Sequence, residues 1–138
     1  MKANELMIGD WVYHTKYGNC QVCVIDEGFG DDPEVKIKSV NIKHKEGYDY
    51  GYRTDDTEEL FPIPLTSEIL KKNKFIEDTY IRTKDKFYRH EPNGFRLKVN
   101  IDSEGNFYVF DNIIIQCNYV HQLQHAMRIS GIEDDFVL

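Results

Sequence analysis

The chain is short of cysteine, of positive charge and of long apolar runs. Three cysteines in 138 residues cannot close a complete disulfide framework, which excludes a small disulfide scaffold and suits a reducing cytoplasm. Lys and Arg number 17 against 24 Asp and Glu, a net charge of −7. That balance opposes binding built on phosphate neutralisation, where excess cations supply most of the affinity. No apolar run approaches the roughly 20 residues of a membrane-spanning helix, so no membrane association is expected. Met1-Lys2-Ala3-Asn4-Glu5-Leu6 leads into no apolar stretch, so no secretory signal is expected either. Catalytic signatures are missing as well. There is no GxSxG, no Walker loop, no GxGxxG and no cysteine beside evident His and Asn partners. The expectation is a cytoplasmic, non-enzymatic protein that uses no cofactor.

What is present suffices for a packed core, since 41% of the residues are hydrophobic and 13% aromatic. Charge is unevenly divided: residues 1–65 carry 7 basic and 13 acidic side chains, residues 66–138 carry 10 and 11. Between them Pro62-Ile63-Pro64-Leu65 interrupts any strand by removing backbone donors. We place a domain boundary there, giving residues 1–63 and 64–138.

The first half reads as short strands: Leu6 to His14 with a bend at Gly9-Asp10, then Cys20 to Ile25, then a strand around Val35 and Ile37. Apolar positions resume at Val40 and Ile42 with the opposite parity, which predicts a bulge near Ser39. Tyr48, Tyr50 and Tyr52 alternate on a fourth strand, and Leu60-Phe61 makes a fifth. Five short strands in about 60 residues predict a small SH3-like β-barrel, because closure removes exposed edges. The second half opens with a helix capped by Thr66, with Leu65 placed to staple onto Leu70. An antiparallel meander follows, clearest where Phe95, Leu97, Val99 and Ile101 alternate with Arg96, Lys98 and Asn100. A closing helix from about Tyr119 to Ser130 has Asn118 as its expected N-cap and Gly131 as its terminator. Its apolar arc holds Tyr119, Val120, Leu123, Ala126 and Met127, with His121, His125 and Arg128 opposite. The fold class is therefore α+β, a small barrel followed by a meander packed with two helices.

Three stretches also carry a family likeness: Glu5-Leu6 through Ile8-Gly9-Asp10-Trp11-Val12, then Pro62-Ile63-Pro64-Leu65-Thr66-Ser67-Glu68-Ile69-Leu70, then Tyr119-Val120-His121-Gln122-Leu123-Gln124. In this order they resemble the landmarks of a family of small uncharacterised proteins of gut-bacterial genomes and prophage-like elements. The family has no established activity. The resemblance implies a cytoplasmic accessory protein of mobile-element origin. The stretch from His14 to Thr57 is longer here than in the family pattern, and His125 stands where the family has another residue type.

The leading candidate for function is the aromatic set Tyr13, Tyr17, Tyr48, Tyr50 and Tyr52 with Trp11. Tyr and Trp combine apolar area with a polar tip, which suits a face that holds another protein. The competing reading places Trp11 and part of this set in the barrel core. The expected partner is a protein, held on the barrel surface or in a cleft between the halves. Nucleic acid is the alternative, on a basic face formed by Arg82, Lys84, Lys86, Arg89, Arg96 and Lys98. Cys20 and Cys23 form a CxxC pair and His121 and His125 stand one helical turn apart, so both pairs are weak metal candidates. The ordinary reading of the cysteines is one core and one surface residue; of the histidines, solvated imidazoles. The acidic groups at Asp31-Asp32, Asp55-Asp56 with Glu58-Glu59, and Glu133-Asp134-Asp135 read as solvated loops. Meander edges also make a homodimer conceivable across a two-fold axis.

Overall fold

The computed structural model describes residues 1–26, 34–39, 52–54, 57–90, 97–110, 114–133 and 135–138. The bulge expected near Ser39 does not appear up to Ser39, which pairs with Cys20; Val40, Ile42, Tyr48, Tyr50, Phe95, Arg96, Asp31-Asp32, Asp55-Asp56, Asp134 and the turns around residues 91–94 and 111–112 lie outside the described residues. The chain divides into two compact units, Met1–Ile63 and Pro64–Leu138.

In the first unit, β1 (Trp11–His14), β2 (Gly18–Asp26), β3 (Glu34–Ser39), β4 (Tyr52–Thr54) and β5 (Leu60–Pro62) form one antiparallel sheet in the order β4-β3-β2-β1-β5. A 3-10 turn at Thr57–Glu59 leads into β5. Among the described residues no pairing joins β4 to β5, so the sheet is open there. The core is Leu6, Val12, Cys20, Val22, Val35, Ile37 and Leu60. Alternation along β1 sends Val12 and His14 inward and leaves Trp11 and Tyr13 on the other side.

The strand expected from Leu6 begins only at Trp11. Residues Ala3–Glu5 make a 3-10 turn, and Asp10 holds a second turn in which its carboxylate accepts the Met7 N–H at 2.8 Å. The irregularity in this sheet falls within β2, between Val22 and Val24, where Cys23 is the extra residue opposite β3. It switches the parity of β2, so that Val22 and Ile25 both face the core although they are three apart.

In the second unit, α1 (Ser67–Lys72) starts at Thr66, whose Oγ1 accepts the Ile69 N–H at 3.3 Å. Leu65 and Leu70 are both buried, as a staple requires. Strands β6 (Ile76–Thr79), β7 (Lys86–His90), β8 (Leu97–Ile101), β9 (Phe107–Phe110) and β10 (Ile114–Gln116) form a sequential antiparallel meander. Its inner face carries Tyr88, His90, Leu97, Val99, Phe107 and Val109. Phe75, just after α1, packs its ring 4.7 Å from that of His90.

Helix α2 (Val120–Ile129) takes Tyr119, not Asn118, as its N-cap residue. Asn118 is occupied elsewhere: its Oδ1 accepts the Phe107 N–H at 3.0 Å and its Nδ2 donates to Asn106. The helix ends at Gly131 with φ 75°, the Gly131 N–H donating to Arg128 and the Ile132 N–H to Met127, the paired bonds of a Schellman ending. His121 and Gln124 are buried along with Val120, Leu123, Ala126 and Met127. The buried surface of α2 is thus wider than the apolar arc predicts, and His121 is not the solvated imidazole expected of it. Among the described residues no helix is long and apolar enough to cross a membrane.

Candidate functional site

Two surfaces, one in each unit, bring chemistry-bearing residues together. In the first unit the register of β1 with β5 sets Tyr13 opposite Phe61, and Trp11 lies two residues along on the same side. Tyr13 is 44% and Phe61 48% exposed, while Trp11 is half-buried. Trp11 therefore does not fill the core, as one of the sequence readings had it. Tyr17 packs against the core with its ring 4.6 Å from His14. Tyr52 sits in β4 opposite Ile37. Phe61 was not among the expected residues, although its place beside the buried Leu60 on a strand implies an outward side chain.

His14 is the buried polar residue behind this face. Its Nδ1 accepts the Lys16 N–H at 3.0 Å, and its Nε2 lies 3.0 Å from Glu59 Oε2. With Nδ1 accepting, Nε2 carries the hydrogen that bridges to the carboxylate. This ties β1 to the turn that precedes β5.

The second surface is an open groove of about 780 Å³ on the outer face of the meander, beside the β6–β7 connection. Register explains its membership. Phe87 pairs with Asn100 and Arg89 with Lys98, so these four share the face opposite Tyr88 and Val99. The connection at residues 80–85 is closed by the Tyr80 N–H donating to Asp85 and the Lys84 N–H to Tyr80, with Lys84 at φ 63°. Tyr80 folds over the face: its ring lies 4.4 Å from that of Phe87, and its hydroxyl donates to Asn100 Oδ1 at 3.2 Å. Lys98 Nζ stands 5.4 Å from the centre of the Phe87 ring. Arg82 and Ile81 complete the rim, Ile81 being 89% exposed.

The expected basic face is distributed over both sides of the meander. Lys86 pairs with Glu77 at 3.4 Å, on the inner-face parity. Arg89 lies on the outer face and pairs with Asp78 at 3.3 Å. Arg82 and Lys98 meet at the groove, and Lys84 is in the connection. Glu77 is a hub. It accepts the Tyr88 hydroxyl at 2.9 Å and also pairs with Lys71 of α1. The Tyr88 hydrogen bond, then Lys71, hold the Glu77 carboxyl below its usual range. Burial, reinforced by that carboxylate, pushes the Tyr88 phenol up.

No family model, curated protein or solved structure matches the chain.

Cys20 is buried and its thiol donates to the Gly18 carbonyl, and Cys23 is half-buried with its thiol on the Gln21 carbonyl. The rings of His121 and His125 meet edge to face, 5.9 Å apart. Cys117, which precedes them, is buried, and burial pushes its thiol up to about 12, so at neutral pH it carries a proton rather than the charge that a metal or an electrophile needs. Among the described residues no group of three His, Cys, Asp or Glu is arranged to hold a metal ion. Glu58, Glu59, Glu133 and Asp135 are exposed.

Proposed function

We propose that this is a non-enzymatic binding protein that holds a second protein on the aromatic outer face of its N-terminal sheet. The observation that carries the reading is the separation of Trp11, Tyr13 and Phe61 from their strand neighbours Val12, His14 and Leu60. The neighbours are fully buried; the aromatics stand together outside. Core packing does not require large rings there, whereas protein-binding faces are enriched in them. The N-terminal unit is read as SH3-like. Its strand order sets β1 between β5 and β2, and a 3-10 turn precedes the last strand. An accessory role in the cytoplasm, with a mobile-element origin, follows from the resemblance of the three sequence landmarks.

Protein capture from lysate of the native host tests this, using wild type and the Tyr13→Ala/Phe61→Ala double variant, with half of each sample nuclease-treated. A nuclease-resistant protein held by wild type and lost by the variant, at a thermal midpoint lowered by only a few degrees, is the expected result. Loss of fold in step with loss of binding would overturn it.

Nucleic acid binding is the second reading, favoured by Arg82, Lys84 and Lys98, which have no carboxylate partner among the described residues. It requires affinity that falls steeply with salt.

A further inference from the structure

We infer that the groove beside the β6–β7 connection binds an extended acidic peptide segment, seating an apolar side chain against Tyr80 and Phe87 and a carboxylate beside Lys98 and Arg82. The inference is independent of the N-terminal reading, since it uses other residues in the other unit.

Charge bookkeeping around the groove carries it. The sheet's other cations have carboxylate partners, Lys71 and Lys86 sharing Glu77 and Arg89 pairing with Asp78, while Lys84 lies in the connection and does not line the groove. Arg82 and Lys98, which line the groove, have no carboxylate within ion-pair distance among the described residues. With Asp78 taken up by Arg89, the lining keeps two cations against the one carboxylate of Asp85, and an anion that also presents apolar area satisfies both features. Tyr80 is held on the aromatic floor by its ring contact with Phe87 and its hydrogen bond to Asn100.

The form of the ligand follows from β6. This strand is the edge of the meander and all four of its residues are exposed. Asp78 and Thr79 belong to β6 and also line the groove. An extended peptide laid along that edge gains main-chain hydrogen bonds and sends alternate side chains toward the groove, the mode of strand addition. A phosphate chain fits less well. Asp78 and Asp85 both line the groove. Asp78 is masked by Arg89, but Asp85 stands against a ligand charged at every step, whereas a peptide can set an uncharged residue beside it.

Fluorescence anisotropy of a short fluorescein-labelled peptide alternating Glu and Leu, added to the full chain, tests the inference. A peptide alternating Gln and Leu and an oligothymidylate of equal charge serve as comparisons. The Glu–Leu peptide should bind at least about tenfold more tightly than the Gln–Leu peptide, the worth of one charge-assisted contact. Lys98→Met keeps an apolar stem over Phe87 while removing the charge, and it should weaken binding about tenfold, as should Arg82→Gln. Lys2→Gln and Tyr13→Ala/Phe61→Ala should leave it unchanged. Equal binding of the two peptides, tighter binding of the oligothymidylate, no binding at millimolar peptide, or full affinity in Lys98→Met would each overturn the proposal.

Discussion

At the residue scale, the polar groups buried in the first unit are placed by hydrogen bonds rather than tolerated by chance. Asp10 is fully buried and its carboxylate satisfies the Met7 N–H. Asp10→Ala leaves that donor unpaired and should cost roughly 1–3 kcal/mol in urea unfolding, while Asp10→Asn, which keeps an acceptor, should cost less. Equal losses would mean that the carboxylate does not hold the turn. The three thiols make a second prediction. Iodoacetamide at mildly alkaline pH should label Cys23 first, because Cys20 and Cys117 are buried and Cys117 resists ionisation. Mass spectrometry should find all three modified only in denaturant, and native labelling of Cys117 ahead of Cys23 would contradict its burial. The split of Cys20 and Cys23 between core and outer side agrees with the ordinary reading of that pair, whereas the burial of His121 was not visible in residue order, where two histidines one turn apart look alike whether they face water, a metal or the core.

At the element scale, turns and edges separate what alternation makes legible from what it does not. Val35 with Ile37 and Leu97 with Val99 advertise their strands because every second residue is buried. The Thr66 cap and the Gly131 ending are local and equally readable. Strand β6 has no alternation to read, since every residue in it is exposed, and the groove that borders it was therefore invisible. The bulge at Cys23 depends on the register with β3, a long-range property. Gly105 closes the β8–β9 turn at φ 85° with open space where a Cβ would stand. Gly105→Ala should lose about 1–2 kcal/mol from backbone strain alone, and Gly105→Asn less, because Asn visits this conformation more readily. Glu77 ties β6 to β7 and α1 with a lowered pKa. Its contribution to stability is fully present above the ordinary glutamate value and is lost as pH falls through the lowered folded value. Glu77→Gln should therefore be less stable than wild type at neutral pH, with the difference shrinking as pH falls below the ordinary glutamate value; a constant difference would deny the linkage.

At the scale of the whole molecule, each unit has a sheet and a buried core of its own. Residues 64–138 expressed alone should unfold cooperatively in urea with native-like circular dichroism. A gradual, featureless transition would show that this unit needs the first to fold. The division at Ile63 was legible because two prolines stand there, and the α+β class because strand-like and helix-like periods alternate. The position of Trp11 was not, since a lone tryptophan in a strand pattern reads as core. Its half-buried place on the outer face has an optical consequence. It is the only tryptophan in the chain, so emission excited at the red edge, where tyrosine does not absorb, comes from the N-terminal unit alone. A protein seated on the Trp11 face should shift the emission maximum without any dye, whereas an acidic peptide in the second unit's groove should leave the spectrum still. One cuvette and two ligands then tell the surfaces apart by colour.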